Sequence, residues 1–175
     1  MRHLRDMGLT IVVLALMGVL AGFLWSAIAP RTPYVITRSG PALTDPTTQS
    51  LIAADGWFAV ITGVAGLACG IGAYLISRKG RPIALLAGLA GGGLLAGYLT
   101  LLVGTSFNGS SVQAAAPGSG GIGSTVNVLG LTAYGVLLSW AVVAVAVFGI
   151  LESVDGYRES PLRKPYAGES RDAGF

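Results

Sequence analysis

The chain has 175 residues, 53% of them hydrophobic and only 11% charged, with 11 Lys and Arg against 8 Asp and Glu for a formal net charge of +3. Its 27 glycines and single cysteine accompany a mean hydropathy of +0.70. Water-soluble domains carry charge on about a quarter of their residues, so this composition excludes one and makes lipid the solvent of most of the surface.

The apolar residues fall into four blocks, 8–29, 56–76, 83–103 and 126–151. At about 1.5 Å per residue, each is long enough as a helix to cross a hydrocarbon layer about 30 Å thick. No block contains Asp, Glu, Lys, Arg or His. Any of these at the bilayer centre costs roughly 2.5 to 3.5 kcal/mol on insertion scales, so each block inserts unaided. The expected fold class is an all-α integral membrane protein with four transmembrane helices.

The first block follows Arg2 and Arg5 and ends in Ala27-Ile28-Ala29, which imitates a secretory signal and its cleavage site. Its 22 residues exceed a signal core of about 7 to 15, and Pro30 directly after the tripeptide obstructs a peptidase, so a retained span is expected. Cleavage is the alternative; it leaves three spans and puts the new N-terminus outside. Gly18 and Gly22 lie four apart on one face of this span, and Trp25 stands near its outer end, where an amphipathic ring suits the headgroup level.

The outer connection, 30–55, opens with a β-favouring run at 34–37 and a turn cluster, Arg38-Ser39-Gly40-Pro41, which predict a small hairpin ending near Leu43. Asp45-Pro46 reads as a helix cap followed by proline at the first helical position. The second helix is therefore expected to start near Pro46 and run unbroken through Ile76, the alternative being a break at Gly56 with Asp55 as a separate cap. Arg31 and Asp55 then flank the outer ends of spans one and two at similar depth, beside Trp57. An ion pair in the reduced dielectric of the headgroup boundary competes with two separately solvated charges. These three residues are the outer-face candidates.

The second span carries Gly66, Cys69 and Gly70, with Tyr74 near its inner end. The third starts after Pro82, a residue tolerated in a first helical turn, and carries Gly88 and Gly92 overlapped by Gly93 and Gly97. Apolar area does not drive helices together in lipid, so close backbone approach must do so, and small residues permit it. The eight glycines at 18, 22, 66, 70, 88, 92, 93 and 97 are the expected packing positions, against other spans or against a second copy of the chain.

The third connection, 104–125, is rich in Gly, Ser and Ala without charge and reads as a flexible outer loop. Its Asn108-Gly109-Ser110 matches a glycosylation acceptor, which matters only in a eukaryotic secretory route. The fourth block, 126–151, is the longest and fits by tilting. Trp140 lies mid-span, outside any aromatic belt, and must pack against helices or lipid tails. The helix is expected to run a turn or two past Leu151. The four-helix domain is drawn at 1–155 and a flexible cytoplasmic tail at 156–175, with Pro161 and Pro165 in it and Arg163 and Lys164 either at anionic lipid or solvated.

Orientation follows from the basic residues. Nine of the 11 Lys and Arg fall at the N-terminus, in the second connection or in the tail, and only Arg31 and Arg38 lie on the opposite side. The positive-inside rule then places both termini in the cytoplasm of a multi-pass plasma-membrane protein.

Chemistry is limited by what the chain lacks. One cysteine, Cys69, forms no intramolecular disulfide or dithiol relay, which removes thiol oxidoreductases and tetraspanin-like loops. One histidine, His3, leaves bis-histidine haem, zinc-dependent proteolysis and a Ser/His intramembrane protease without ligand or base. Gly91-Gly92-Gly93 lacks the Lys and the strand-to-helix context of a phosphate loop. No catalytic, cofactor or metal residue is expected, and no nucleic acid. Coupled transport needs an ionisable group at membrane depth, which the four blocks do not hold. A pore lined by glycine backbone with Thr62, Thr100, Thr132 and Ser139 remains open, although hydroxyls in spans commonly bond their own helix.

Two strings, Trp25-Ser26-Ala27-Ile28-Ala29-Pro30-Arg31 and Ala53-Ala54-Asp55-Gly56-Trp57-Phe58, resemble an actinobacterial family of four-span integral membrane proteins catalogued as a domain of unknown function. The resemblance covers most of 8–151 and is specific only at the two strings. It implies a plasma-membrane address and four helices, and no activity. The function expected is that of a non-enzymatic accessory, assembly or scaffold subunit of the bacterial cell envelope, with the lipid bilayer and a membrane-protein partner or second copy as its contacts. A small channel or transporter is the alternative.

Overall fold

Long apolar runs with no breaker produce four helices, and described parts of the first and third connections form a small sheet. A computed structural model describes residues 2–77, 82–106 and 123–159. The Asn108-Gly109-Ser110 acceptor, the basic link at 78–81 and the tail with Pro161, Arg163, Lys164 and Pro165 lie outside the described residues. In chain order the elements are α1 (Arg2–Ile28), β1 (Thr32–Thr37), β2 (Gly40–Leu43), α2 (Ser50–Ser77), α3 (Pro82–Ser106), β3 (Thr125–Val128), a 3-10 turn (Tyr134–Leu138) and α4 (Ser139–Glu159). Four stretches are long and apolar enough to cross a membrane: Met7–Ile28, Ser50–Ser77, Ile83–Ser106 and Tyr134–Arg158.

The side-chain distribution is that of a protein solvated by lipid. Many large aliphatic residues face outward, Leu16 at 63% exposure and Ile83 at 82%, whereas the closest helix crossings are made by glycine, alanine and threonine beside a few large buried side chains such as Leu89 and Phe148. Water would penalise such a surface; hydrocarbon does not. α1 packs chiefly on α3 and α2 on α4, while α3 and α4 join the two pairs. α1 and α2, though consecutive in sequence, touch little.

Glycine sets the spacing of every major seam. A Cβ on Gly18 would lie 2.6 Å from the Ala96 carbonyl oxygen, and one on Gly22 would lie 2.8 Å from that of Thr100. From the opposite side Gly88 and Gly92 meet Thr10 and Ile11 of α1. Gly66 and Gly70 stand against the carbonyls of Trp140 and Ala144, each 2.7 Å from where a Cβ would sit. Gly93 and Gly97 meet Ala141 and the Leu137 carbonyl across the α3–α4 seam. The partners of these glycines are thus helices of the same chain. Hydroxyls reinforce the contacts: Thr100 Oγ1 donates to the Gly18 carbonyl at 3.0 Å and to its own helix at Ala96, and Thr62 Oγ1 lies 2.6 Å from Ser139 Oγ. Thr62 and Thr100 are fully buried in these seams, and Thr132 is exposed just before the 3-10 turn.

Three boundaries differ from expectation. The second helix starts at Ser50, not near Pro46, because the Asp45 carboxylate closes a local turn, accepting from the Thr47 N–H at 2.8 Å and its hydroxyl at 2.6 Å. Those bonds hold the Asp45 carboxyl below its ordinary value. Gln49 then supplies the first helical acceptor, to Ala53 N, and the helix passes Gly56 without a break. The third helix runs to Ser106 and so absorbs Gly104, assigned above to a loop.

The fourth apolar block is corrected most. Its first residues form β3, which pairs antiparallel with β1 (Thr32 opposite Val128, Tyr34 opposite Val126), and α4 begins only at Ser139. Thr125-Val126-Asn127-Val128 alternates β-branched and polar residues, a short run whose strand pattern was hidden inside a longer apolar block. The membrane-crossing stretch moves to Tyr134–Arg158 and includes Glu152 and Asp155. α4 also passes through the boundary drawn at 155 and reaches Glu159.

Alanine at Gly18 or Gly97 should lower unfolding stability in detergent by about 1 to 3 kcal/mol, the usual range for overpacking. Alanine at Gly63 or Gly149, where a Cβ meets nothing within 4 Å, should leave thermal unfolding unchanged or raised. Equal effects at both sets would contradict the seam assignment.

Candidate functional site at the outer face

β1 and β2 form a hairpin closed by Arg38 and Ser39, with Gly40 at φ 119°, a conformation that favours glycine. With β3 on the other side of β1 the sheet order is β2-β1-β3. The ladder extends past β3, since Ile36 N donates to Ser124 O at 3.0 Å and Gly123 N to Ile36 O at 2.9 Å. This sheet caps one end of the helix bundle.

Three contacts lie at this end of the bundle, and the third ties it to the sheet. Asp55, half-buried on α2, accepts from the backbone N–H groups of Thr132 and Ala133 through its two oxygens, each at 2.9 Å. Thr132 and Ala133 directly precede the 3-10 turn that leads into α4, so the carboxylate holds the fourth span's approach against α2. Arg31 is exposed immediately before β1. Second, the Trp25 indole N–H donates to the Ala54 carbonyl at 3.0 Å, and its ring meets Phe58 edge-on at 5.2 Å between centroids. Third, Thr32 Oγ1 bonds Ser50 Oγ at 2.8 Å, tying β1 to the first residue of α2.

Trp25 corrects an expectation. Placed above in an interfacial belt, it is fully buried, in a core cluster with Ala29, Ala54, Phe58, Leu129 and Leu131. A side chain on Gly104 would overlap its ring, so the glycine of α3 makes room for the tryptophan of α1. Its indole N–H needs a partner when dry, and the Ala54 carbonyl supplies one. Trp57, by contrast, is 44% exposed. Sequence reasoning found Asp55 and the two tryptophans but missed Gly104, Thr32 and Ser50. Trp25 and Phe58 lie on different helices with the β1–β2 hairpin between them, so their pairing gives no periodic signal.

A cleft of about 460 Å³ opens beside the cap, bounded by Tyr34, Leu51, Leu101, Thr105, Leu131 and Tyr134. Backbone and hydroxyl groups line part of it, and no group of three or more His, Cys, Asp or Glu able to hold a metal occurs among the described residues. The cleft offers shape together with backbone and hydroxyl hydrogen-bonding groups.

A second polar cluster lies at the other end of the α2–α4 seam. The Tyr74 hydroxyl donates to Asp155 and the Ser77 hydroxyl to Glu152. Both carboxylates sit on one face of α4, three residues apart, half-buried against α2. Tyr74, near the end of the second span, is thus bonded to a neighbouring helix of the bundle. Trp140, fully buried, packs in the core cluster that contains Leu14, Leu89 and Phe148 and is flanked by Cys69.

Comparison with protein-family models, curated proteins and solved structures finds no match.

Replacing Asp55 with Ala removes two charge-assisted bonds and leaves the Thr132 and Ala133 N–H groups without that acceptor, which should lower stability by about 1 to 3 kcal/mol. Trp25→Phe deletes the indole donor and leaves a smaller ring in a fully buried site, so it should cost about 2 to 3 kcal/mol, although the carbonyl of Ala54 keeps its helical bond. Thermal unfolding of the purified protein checks both, and a neutral Asp55→Ala would contradict the role given to its carboxylate.

Proposed function

We propose that the chain is a non-enzymatic accessory, assembly or scaffold subunit of the bacterial cell envelope, a multi-pass plasma-membrane protein with both termini in the cytoplasm. The observation that carries this reading is the fastened outer cap. A three-stranded sheet tied to the start of α2 through Thr32 and Ser50, next to the Asp55 and Trp25 contacts, presents a surface that suits recognition of another protein. The distribution of Lys and Arg supports the orientation, since nine of the 11 fall on the side of the termini. The resemblance of the strings around Trp25 and Asp55 to an actinobacterial four-span family supports the address, and both strings contribute contacts at this end of the bundle.

Glu152 and Asp155 favour one other reading, a small carrier, because ionisable groups in a span often serve ion pathways. Their position speaks for anchoring instead. Each accepts from a hydroxyl of α2 within a closed helix seam near the end of the span, where a carboxylate is readily solvated, rather than at mid-membrane.

Affinity purification of the full chain in mild detergent, followed by mass spectrometry, should recover a stoichiometric envelope protein, and Tyr134→Ala or Arg38→Glu on the exposed cap should release it. Recovery of the chain alone, with solute flux from the purified protein in liposomes, would replace this reading by the carrier. A reporter fused after Phe175 should be active only in the cytoplasm.

A further inference from the structure

Register decides which backbone groups of the outer sheet are used. Ile36 N donates to Ser124 O and Thr44 N to Pro33 O, so the bonds of β1 alternate: Thr32, Tyr34 and Ile36 face β3, and Pro33, Val35 and Thr37 face β2. On β3 the groups turned to β1 belong to Val126 and Val128, which leaves the N–H and C=O of Thr125 and Asn127 directed to the far side. No other strand lies there, since β3 ends the order β2-β1-β3. Among the described residues no backbone bond reaches Thr125 or Asn127 from that side, and both residues are exposed.

The two edges of the sheet are not equivalent. On β2 the outward groups belong to Pro41 and Leu43, and Pro41 has no N–H to offer, which blunts an exposed edge. Thr125-Val126-Asn127-Val128 of β3 contains neither proline nor charge. Gly123, at φ 97°, and Ser124 together oppose Ile36 as a bulge, which ends the regular edge on one side, and buried Leu129 follows it on the other. What remains is a short run with Thr125 and Asn127 on the exposed face and Val126 and Val128 on the face turned to the bundle.

That run is complementary to itself. Turned antiparallel about Val126, it sets Thr125 opposite Asn127 of a second copy and Asn127 opposite Thr125, each pair exchanging both backbone bonds. Polar side chains then meet polar ones on the exposed face, and valine meets valine beneath. The two-fold that relates such strands runs along the sheet normal. Tyr34 and Val128 on the inner face share a cleft with Leu51 of α2 and with Leu101 and Thr105 of α3, so the sheet lies over helix ends and its normal follows the spans. Two copies inserted the same way into a bilayer are related by a two-fold in that same direction, and they carry this edge at the same height. A soluble partner has neither advantage.

We infer that the free edge of β3 is an interface for a second copy of this chain, the two sheets joining into one continuous antiparallel sheet. The pairing goes beyond the scaffold reading and depends neither on a different protein nor on which side of the membrane the sheet occupies.

The test is oxidative crosslinking of the full chain, carrying Cys69→Ser, in liposomes diluted with excess lipid. Residues opposite each other in a non-bonded antiparallel pair stand about 4.5 Å apart at Cα, within reach of a disulfide, so Val126→Cys should give a disulfide-linked dimer. Ala42→Cys on β2 should give at least about fivefold less. Adding Thr125→Lys and Asn127→Lys, which puts like charges face to face, should lower the Val126→Cys dimer about fivefold or more, whereas Thr125→Lys with Asn127→Asp should restore it. These substitutions lie on the exposed face, where neither pair should disturb the fold. No dimer at Val126→Cys, equal dimer at Ala42→Cys, or equal behaviour of the two charged variants would each overturn the proposal. Hydrogen exchange supplies a reading without an added cysteine: the Thr125 and Asn127 amides should exchange at least about tenfold faster in the double-lysine variant than in the wild type. Equal rates in the two would mean that no second copy covers this edge. Because neither measurement involves a partner protein, failure here is distinct from failure of the scaffold reading.

Discussion

Backbone contact between helices is the constraint on which the rest of this structure depends. In a solvent of acyl chains, burying leucine brings no gain, so association must come from dispersion and hydrogen bonds at short range. The chain meets that requirement by placing glycine where helices cross: Gly18 and Gly22 on α1, Gly66 and Gly70 on α2, and two overlapping pairs on α3 that face α1 and α4 in turn. α3 is thereby the central helix, holding α1 on one side and α4 on the other. The hydroxyl of Thr100 bonds a carbonyl of the neighbouring helix only because Gly18 lets the two backbones come that near. Many large aliphatic side chains are displaced to the outer surface as a consequence, where lipid accepts them.

The same arrangement determines what stands outside the membrane. Pairing α2 with α4 brings Asp55 beside Thr132 and Ala133, and the carboxylate then supplies an acceptor to each of their N–H groups. Pairing α1 with α3 presses Trp25 onto Gly104 and turns its indole towards Ala54. β1 leaves α1 directly above this cluster, and β3 arrives just before Leu129 and Leu131, which complete it. The cap is thus seated on a core to which every span or its approach contributes. The weak α1–α2 contact is the other consequence, since two strong pairs leave the first and second helices apart at one end.

Much of the architecture was legible in composition and hydropathy, because the requirement of about 20 uninterrupted apolar residues is severe and local. Glycine spacing was legible too, since residues four apart share a helix face whatever they meet. The partners were not: Gly66 against Trp140 and Gly93 against Ala141 are choices among helices, and periodicity within one helix does not encode its neighbour. β3 was missed because strand and helix both accept Thr-Val-Asn-Val, and only the pairing offered by β1 decides between them. Asp45 misled for a related reason. Its carboxylate serves equally as a helix cap or a turn acceptor, and Thr47, two residues on, takes it. At the outer face the sequence singled out Asp55, but its acceptor role depends on N–H groups 77 and 78 residues away.

Disulfide trapping in intact membranes tests the helix pairing most directly. An ideal Cβ on Gly66 lies 3.3 Å from the Cβ of Val143, close to the roughly 3.5 to 4.5 Å spanned by a disulfide. In a Cys69→Ser background, Gly66→Cys combined with Val143→Cys should oxidise to an intramolecular crosslink between α2 and α4. Crosslinking that occurs only between two copies of the chain, or not at all while both thiols remain reactive, would contradict the account.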